Sequence, residues 1–214
     1  GWPELTQELI AFIEQGAHPV VAVGHSLGGF LSFMAAVKRP DLFSALILLD
    51  APVIGRYRAR ALQMGKRFGF IDRVTPARAT KDRRRHWASE AEAIAHFRTR
   101  KLFRHFDPAC LADYVRHGTI QTPEGLALWF DPTIESQIYC TIPHRLHTQL
   151  PKLQTPAGFI GGQHSRELRL FGLSGIRGRV RMRPIKGGHL FPFECPLEAA
   201  AAIREMCEAL LEKR

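Results

Sequence analysis

The chain is short of several features that would narrow its function directly. No apolar run approaches the roughly 18 to 20 residues that a membrane span needs. The opening GWPELTQELIAF has neither a basic region nor a small-residue cleavage site, so no secretory signal shows. It also lacks an initiator methionine, and the expectation is that a preceding segment is missing. The four cysteines, Cys110, Cys140, Cys195 and Cys207, are scattered. They form no CxxC and have no zinc-type spacing with histidine, which argues against a metal-finger module and for reduced thiols in the cytoplasm. There is no internal repeat and no low-complexity tract.

Acidic residues are scarce in one region. From Arg56 to Arg104 there are 15 Lys and Arg against 4 acids (Asp72, Asp82, Glu90 and Glu92), a local balance of +11 within a formal net charge of +10. The rest of the chain is therefore close to neutral. A basic face attracts nucleic acid, anionic lipid or an anionic substrate. No base-reading motif accompanies it. The favoured reading is a solvated helical surface, with no nucleic-acid partner.

With 214 residues and a 45% apolar share, the chain fits one domain with a buried core and a sizeable insertion. HPVVAVG (18–24) and SALILLD (44–50) are short continuous apolar runs, the pattern of parallel strands buried on both faces. TPAGFIGG (155–162) and GRVRMRPI (178–185) are weaker strand candidates. Between the first two runs, SLGGFLSFMAAVKRP predicts a crossover helix stopped by Pro40. PLEAAAAIREMCEALLEKR predicts a closing helix with proline in its first turn. Strand–helix–strand order of this kind predicts an α/β fold with a parallel sheet. From about Pro52 to Leu150 no buried-strand pattern appears, and the segment reads as a helical insertion.

The segment AVGHSLGGF (22–30) places a serine between the first strand and its helix. A serine on so sharp a turn projects its hydroxyl from the carboxyl end of the sheet. Strand and helix then approach closely, and small residues are needed two before and two after, where Gly24 and Gly28 stand. The glycines at 24, 28 and 29 fit neither a dinucleotide-binding GxGxxG nor a phosphate loop, since Phe30 stands where the latter needs lysine. Ser26 is thus a candidate nucleophile. The Leu27 N–H, at the helix N-terminus, is a candidate oxyanion donor. Serine needs a base to take its proton. His189, after Gly187-Gly188 and just before the closing helix, is the candidate among ten histidines.

GHSLGG after PVVAV, then RPDLFSALILLDAP, a long helical stretch, and finally GGHLFPFECPLEAAAAI together resemble the α/β-hydrolase superfamily, in its capped, esterase-like serine-hydrolase branch. The resemblance implies a parallel sheet flanked by helices, with core residues 1–51 and 151–214 and a helical cap, 52–150, inserted after the sixth strand. It points to His189 as the base. It also implies strands before the nucleophile strand, which are expected to be missing because PELTQELIAFIEQG reads as one helix leading into HPVVAVG. The family usually carries its acid after the seventh strand, but GGQHSREL puts Ser165 there. Asp50, ending the sixth strand at the same sheet edge as Ser26, is the first alternative, and Glu167 is the second. His25 and Trp129 are candidate substrate-binding residues, with Trp87, Phe130 and Tyr139 as further candidate lining.

The expected activity is cleavage of a carboxylic ester or related acyl bond through a Ser-His-acid triad and an acyl-enzyme. It would act on a small acyl substrate, with no metal or organic cofactor. The basic insertion suggests negative charge on the acyl or alcohol part. The competing expectation is a non-catalytic binding protein on a hydrolase scaffold, motivated by Ser165 in the acid position.

Overall fold

The computed structural model describes residues 1–71, 75 and 77–212. The chain divides into two compact units. One comprises Gly1–Met64, Pro143–Phe191 and Leu197–Arg214, and the other Gly65–Ile142 and Pro192–Pro196. Of the basic stretch, Asp72 and Arg73 lie outside the described residues.

The first unit opens with α1 (Trp2–Glu14), whose Ile10 and Ile13 are buried and whose Thr6 hydroxyl donates to the Trp2 carbonyl at 2.7 Å. Next come β1 (Val20–His25), α2 (Leu27–Lys38) and β2 (Phe43–Leu49), followed by α3 (Arg56–Arg67). β1 and β2 pair in parallel, with Gly24 opposite Leu48 and His25 opposite Leu49. Two more parallel strands from the C-terminal half complete a four-stranded sheet in the order β1-β2-β6-β7, with β6 at Ala157–Gly162 and β7 at Arg181–Ile185. The parallel α/β fold expected from the strand grammar is the one observed.

The apolar runs differ in how they use their hydrophobicity. β2 has neighbours on both sides, and from Ala45 to Leu49 every side chain is buried. Each such Leu or Ile contributes about 1.5–3 kcal/mol relative to exposure. β1 is an edge strand, so Val20 to Ala22 are half-buried and Val23 is exposed. The expectation of burial on both faces therefore holds for β2 but not for β1. The closing helix (Pro196–Leu211) presents Ala199, Ala202, Met206 and Leu210 to the core. A Cβ on Gly158 of β6 would strike the Met206 side chain, so the glycine is what lets strand and helix meet.

The second unit is less purely helical than its sequence suggests. Its elements are α4 (Ala77–Lys81), β3 (His86–Trp87), α5 (Glu90–Arg98), α6 (Pro108–Gly118), β4 (Thr119–Thr122), β5 (Gly125–Leu128) and α7 (Pro132–Cys140). The three strands form a small antiparallel sheet in the order β3-β5-β4. Runs of two to four residues are too short to show a period of two, which is why they read as punctuated helix. Ser89, Asp107 and Asp131 cap the helices that follow them by accepting backbone N–H bonds. Trp87 is 2% exposed and packs with Phe97, Leu111 and Val115, so it is core and not pocket lining.

The remaining helices belong to the end of the chain: α8 (Arg166–Phe171), α9 (Phe191–Glu194) and the closing helix, α10. Among the described residues no helix is long and apolar enough to cross a membrane. No disulfide joins the four cysteines.

The strand-to-helix turn depends on two glycines. A Cβ on Gly24 would lie 2.6 Å from the Gly28 carbonyl oxygen and 2.7 Å from Gly29 Cα, while a Cβ on Gly29 would lie 2.7 Å from the Gly24 oxygen. Gly28 has open space instead. The second small residue required is thus Gly29, one place later than the motif suggested. Gly24→Ala is expected to destabilise the protein by about 1–3 kcal/mol, because backbone and not a flexible side chain must move. Urea unfolding of the two proteins measures it, with Gly28→Ala as the milder comparison.

Candidate active site

Ser26 sits between β1 and α2 with φ 50° and ψ −115°, a conformation that non-glycine residues rarely adopt. The turn is held from both sides. The Ser26 N–H donates to the Leu49 carbonyl at 2.9 Å, and the Ser26 carbonyl accepts from Phe30 N–H at 3.1 Å, the first bond of α2. The side chain caps nothing, so its hydroxyl remains available for other partners. Leu27 is the first residue of α2, where backbone N–H groups have no partner within the helix.

Asp50 follows β2 directly and also has a positive φ, 45°. Its N–H donates to the Ile160 carbonyl at 2.9 Å, which locks the strand end onto β6. The carboxylate is fully buried and its oxygens are filled. Oδ2 accepts from Gly162 N–H at 2.8 Å, and Oδ1 accepts from the Ser165 hydroxyl at 2.7 Å. A buried charge of this kind survives only when its lone pairs are satisfied.

His189 approaches from the loop after β7. Its Nδ1 lies 2.8 Å from Asp50 Oδ1 and its Nε2 lies 3.1 Å from Ser26 Oγ. With an ionised Asp50, the network assigns the proton to Nδ1, which leaves Nε2 to accept from the serine hydroxyl. Gly187, at φ 118°, turns the chain into this loop, and its carbonyl accepts from His164 N–H at 2.9 Å.

Two further residues bear on the imidazole. His25, a candidate substrate-binding residue, donates from Nε2 to the His189 carbonyl at 2.8 Å, and its ring lies 4.9 Å from the His189 ring. Burial pushes the His25 imidazole below its ordinary pKa, against the opposing pull of this bond. Glu167 Oε2 lies 3.9 Å from His189 Nδ1. Ser165, where an acid was expected, caps α8 by accepting from Leu168 N–H at 3.1 Å. Trp129 belongs to the second unit, where the residue is 70% exposed.

The structure thus brings Ser26, His189 and Asp50 into one hydrogen-bonded line. The sequence offered no signal for His25 as a brace of the His189 loop. Such a bond between residues 164 positions apart depends on the fold alone.

A sequence profile of the Alpha/beta hydrolase family matches residues 1–203, and the chain belongs to that family. Lipase LipV of Mycobacterium tuberculosis is 54% identical over 39 residues, a stretch that makes up 18% of this chain and only 15% of that lipase. Among solved structures, E-2-(acetamidomethylene)succinate hydrolase superposes with a TM-score of 0.69 at 17% identity, over 95% of this chain and 72% of that one. An M. tuberculosis esterase superposes with a TM-score of 0.64 at 19% identity, over 95% of this chain and 68% of that one. At such identities these likenesses concern the fold.

Two measurements follow from the site's packing. Ser165→Ala removes the α8 cap and one donor to a buried carboxylate, and is expected to lower stability by about 1–3 kcal/mol in denaturant unfolding. His25 titrates lower in the folded state than its ordinary value of 6.5. The unfolded chain therefore binds a proton first as pH falls. The stability that His25 supplies is complete above pH 6.5 and is lost as pH drops toward its folded pKa. His25→Gln keeps an N–H donor without the titration, and is expected to flatten the fall in unfolding free energy in that acid window.

Proposed function

We propose that this protein hydrolyses a carboxylic ester or related acyl bond, with Ser26 as nucleophile, His189 as proton carrier and Asp50 as the acid behind it. The observation that carries this reading is the line from Asp50 Oδ1 through Nδ1 and Nε2 of His189 to Ser26 Oγ, with steps of 2.8 and 3.1 Å. A hydroxyl is a weak nucleophile until a base lies within hydrogen-bond reach, and here one does.

In the first half-reaction Oγ attacks the acyl carbonyl carbon while its proton passes to Nε2. The imidazolium that forms keeps its Nδ1–H on Asp50, whose buried charge stabilises it. The oxyanion develops at the N-terminus of α2, where the Leu27 N–H and the helix dipole favour negative charge. Collapse of the tetrahedral intermediate breaks the bond to the leaving group, which takes the proton from Nε2. The acyl group is left on Ser26. In the second half-reaction water attacks that ester, His189 takes the proton from water and returns it to Oγ, and the acid departs. No step requires a metal or an organic cofactor.

In this reading residues 52–150 act as the cap that shapes the substrate site, with Trp129 and His25 as specificity residues. The basic stretch from Arg56 to Arg104 favours a small substrate carrying negative charge on its acyl or alcohol part. The four unbridged thiols fit a reducing compartment, and we place the protein in the cytoplasm.

A fluorophosphonate probe tests the assignment. It is expected to label the protein one-to-one, with labelling abolished in Ser26→Ala. Hydrolysis of p-nitrophenyl acetate is expected to fall by about 10³-fold or more in the same variant. A folded wild-type protein that takes no label would favour a binding role on the same scaffold.

A further inference from the structure

His189 has two carboxylates on the same ring nitrogen. Asp50 Oδ1 stands 2.8 Å from Nδ1 and Glu167 Oε2 stands 3.9 Å from it. Their surroundings differ. Asp50 is fully buried and committed, since both oxygens already take protein donors. Glu167 has a side chain 35% exposed, and among the described residues no Lys or Arg pairs with it. Its other near neighbour is the Ser165 hydroxyl, 3.5 Å from Oε2. That hydroxyl has one proton, and the 2.7 Å contact to Asp50 claims it. Glu167 thus has His189 as its one charged neighbour among the described residues, and a small side-chain rotation brings it within reach of the Nδ1–H.

We propose that Glu167 is a standby acceptor for the Nδ1 proton of His189, a positioning residue that takes over when the Asp50 carboxylate is withdrawn. The inference rests on the Ser26–His189 reading given above, which it deepens. With Asp50 intact, Glu167 lies outside hydrogen-bond distance and only adds negative charge near the imidazolium. With Asp50 gone, the Nδ1–H loses its acceptor, and a part-buried N–H left unsatisfied is destabilising. Rotation of Glu167 relieves that penalty and restores the tautomer in which Nε2 faces Ser26. The imidazole is therefore supplied with one acid from the end of β2 and another from the segment after β6. Those two segments are already bonded to each other through Asp50 and Ser165.

The test is a cycle of wild type, Glu167→Gln, Asp50→Gly and the double variant. Glycine suits the positive φ at position 50 and leaves room for Glu167, and Asp50→Ala serves should the glycine variant not fold. Nitrogen-15 NMR at about pH 8, where a free imidazole is neutral, reports which ring nitrogen of His189 carries the proton. The proton is expected on Nδ1 in wild type and in both single variants, and on Nε2 in the double variant. In parallel, kcat for p-nitrophenyl acetate is expected to change less than about threefold in Glu167→Gln. It should fall about 10²-fold in Asp50→Gly, against about 10⁴-fold when a triad acid has no substitute, and at least about tenfold more in the double variant. KM of the double variant should match that of Asp50→Gly.

A proton already on Nε2 in Asp50→Gly, or a double variant indistinguishable from it, overturns the proposal. If the tautomers behave as stated but wild type neither hydrolyses ester nor labels at Ser26, the hydrolase reading fails and the role of Glu167 stands.

Discussion

The hydrogen bond between a fully buried Asp50 and the Nδ1 of His189 is the constraint on which the rest of the site depends. A carboxylate with no solvent must have both oxygens engaged, and here the backbone of β6, the Ser165 hydroxyl and the imidazole engage them. Once Nδ1 is held in this way, Nε2 has a single direction and a single tautomer, and it faces Ser26. The electrostatics of the site are therefore set before any ligand arrives, which is the condition under which charge stabilisation accelerates a reaction.

The backbone carries the corresponding strain. Ser26 and Asp50 are the two non-glycine residues with positive φ among those described, and they terminate neighbouring parallel strands. Each conformation costs on the order of 1–3 kcal/mol and persists because surrounding bonds over-determine it. The N–H of Ser26 is bonded to β2 and the N–H of Asp50 to β6, so each strand end is pinned by the next strand over. The energy for this comes from β2, whose side chains are buried on both faces of the sheet. Core packing and site geometry are thus one problem solved at the carboxyl edge.

Much of this was legible in the sequence, for physical reasons that can be named. Continuous apolar runs such as SALILLD occur where a strand is covered on both faces. The G-x-S-x-G spacing reflects a turn too tight for side chains on its flanks. Those two signals locate β2 and the turn bearing Ser26, and the strand-end position of Asp50 follows from the first. What stayed hidden depends on contacts distant in the chain. That a side chain would clash at Gly29 and not at Gly28 is set by Gly24 and Ala51. The brace from His25 to the His189 carbonyl, the burial of Trp87 and the β3-β5-β4 sheet leave no periodic trace in so few residues. β1 reads as apolar as β2, and its edge position is visible only in the sheet order.

In the mechanism we propose, Ser26 Oγ is the atom that forms the covalent bond and His189 Nε2 serves it. The most direct measurement is a crystal structure of the protein after reaction with a fluorophosphonate. The expected result is phosphorus bonded to Ser26 Oγ, the phosphoryl oxygen turned toward the Leu27 N–H, and Nε2 of His189 within hydrogen-bond distance of the adduct. Phosphorus on another residue, or an adduct at Ser26 with His189 swung away from both it and Asp50, would contradict it.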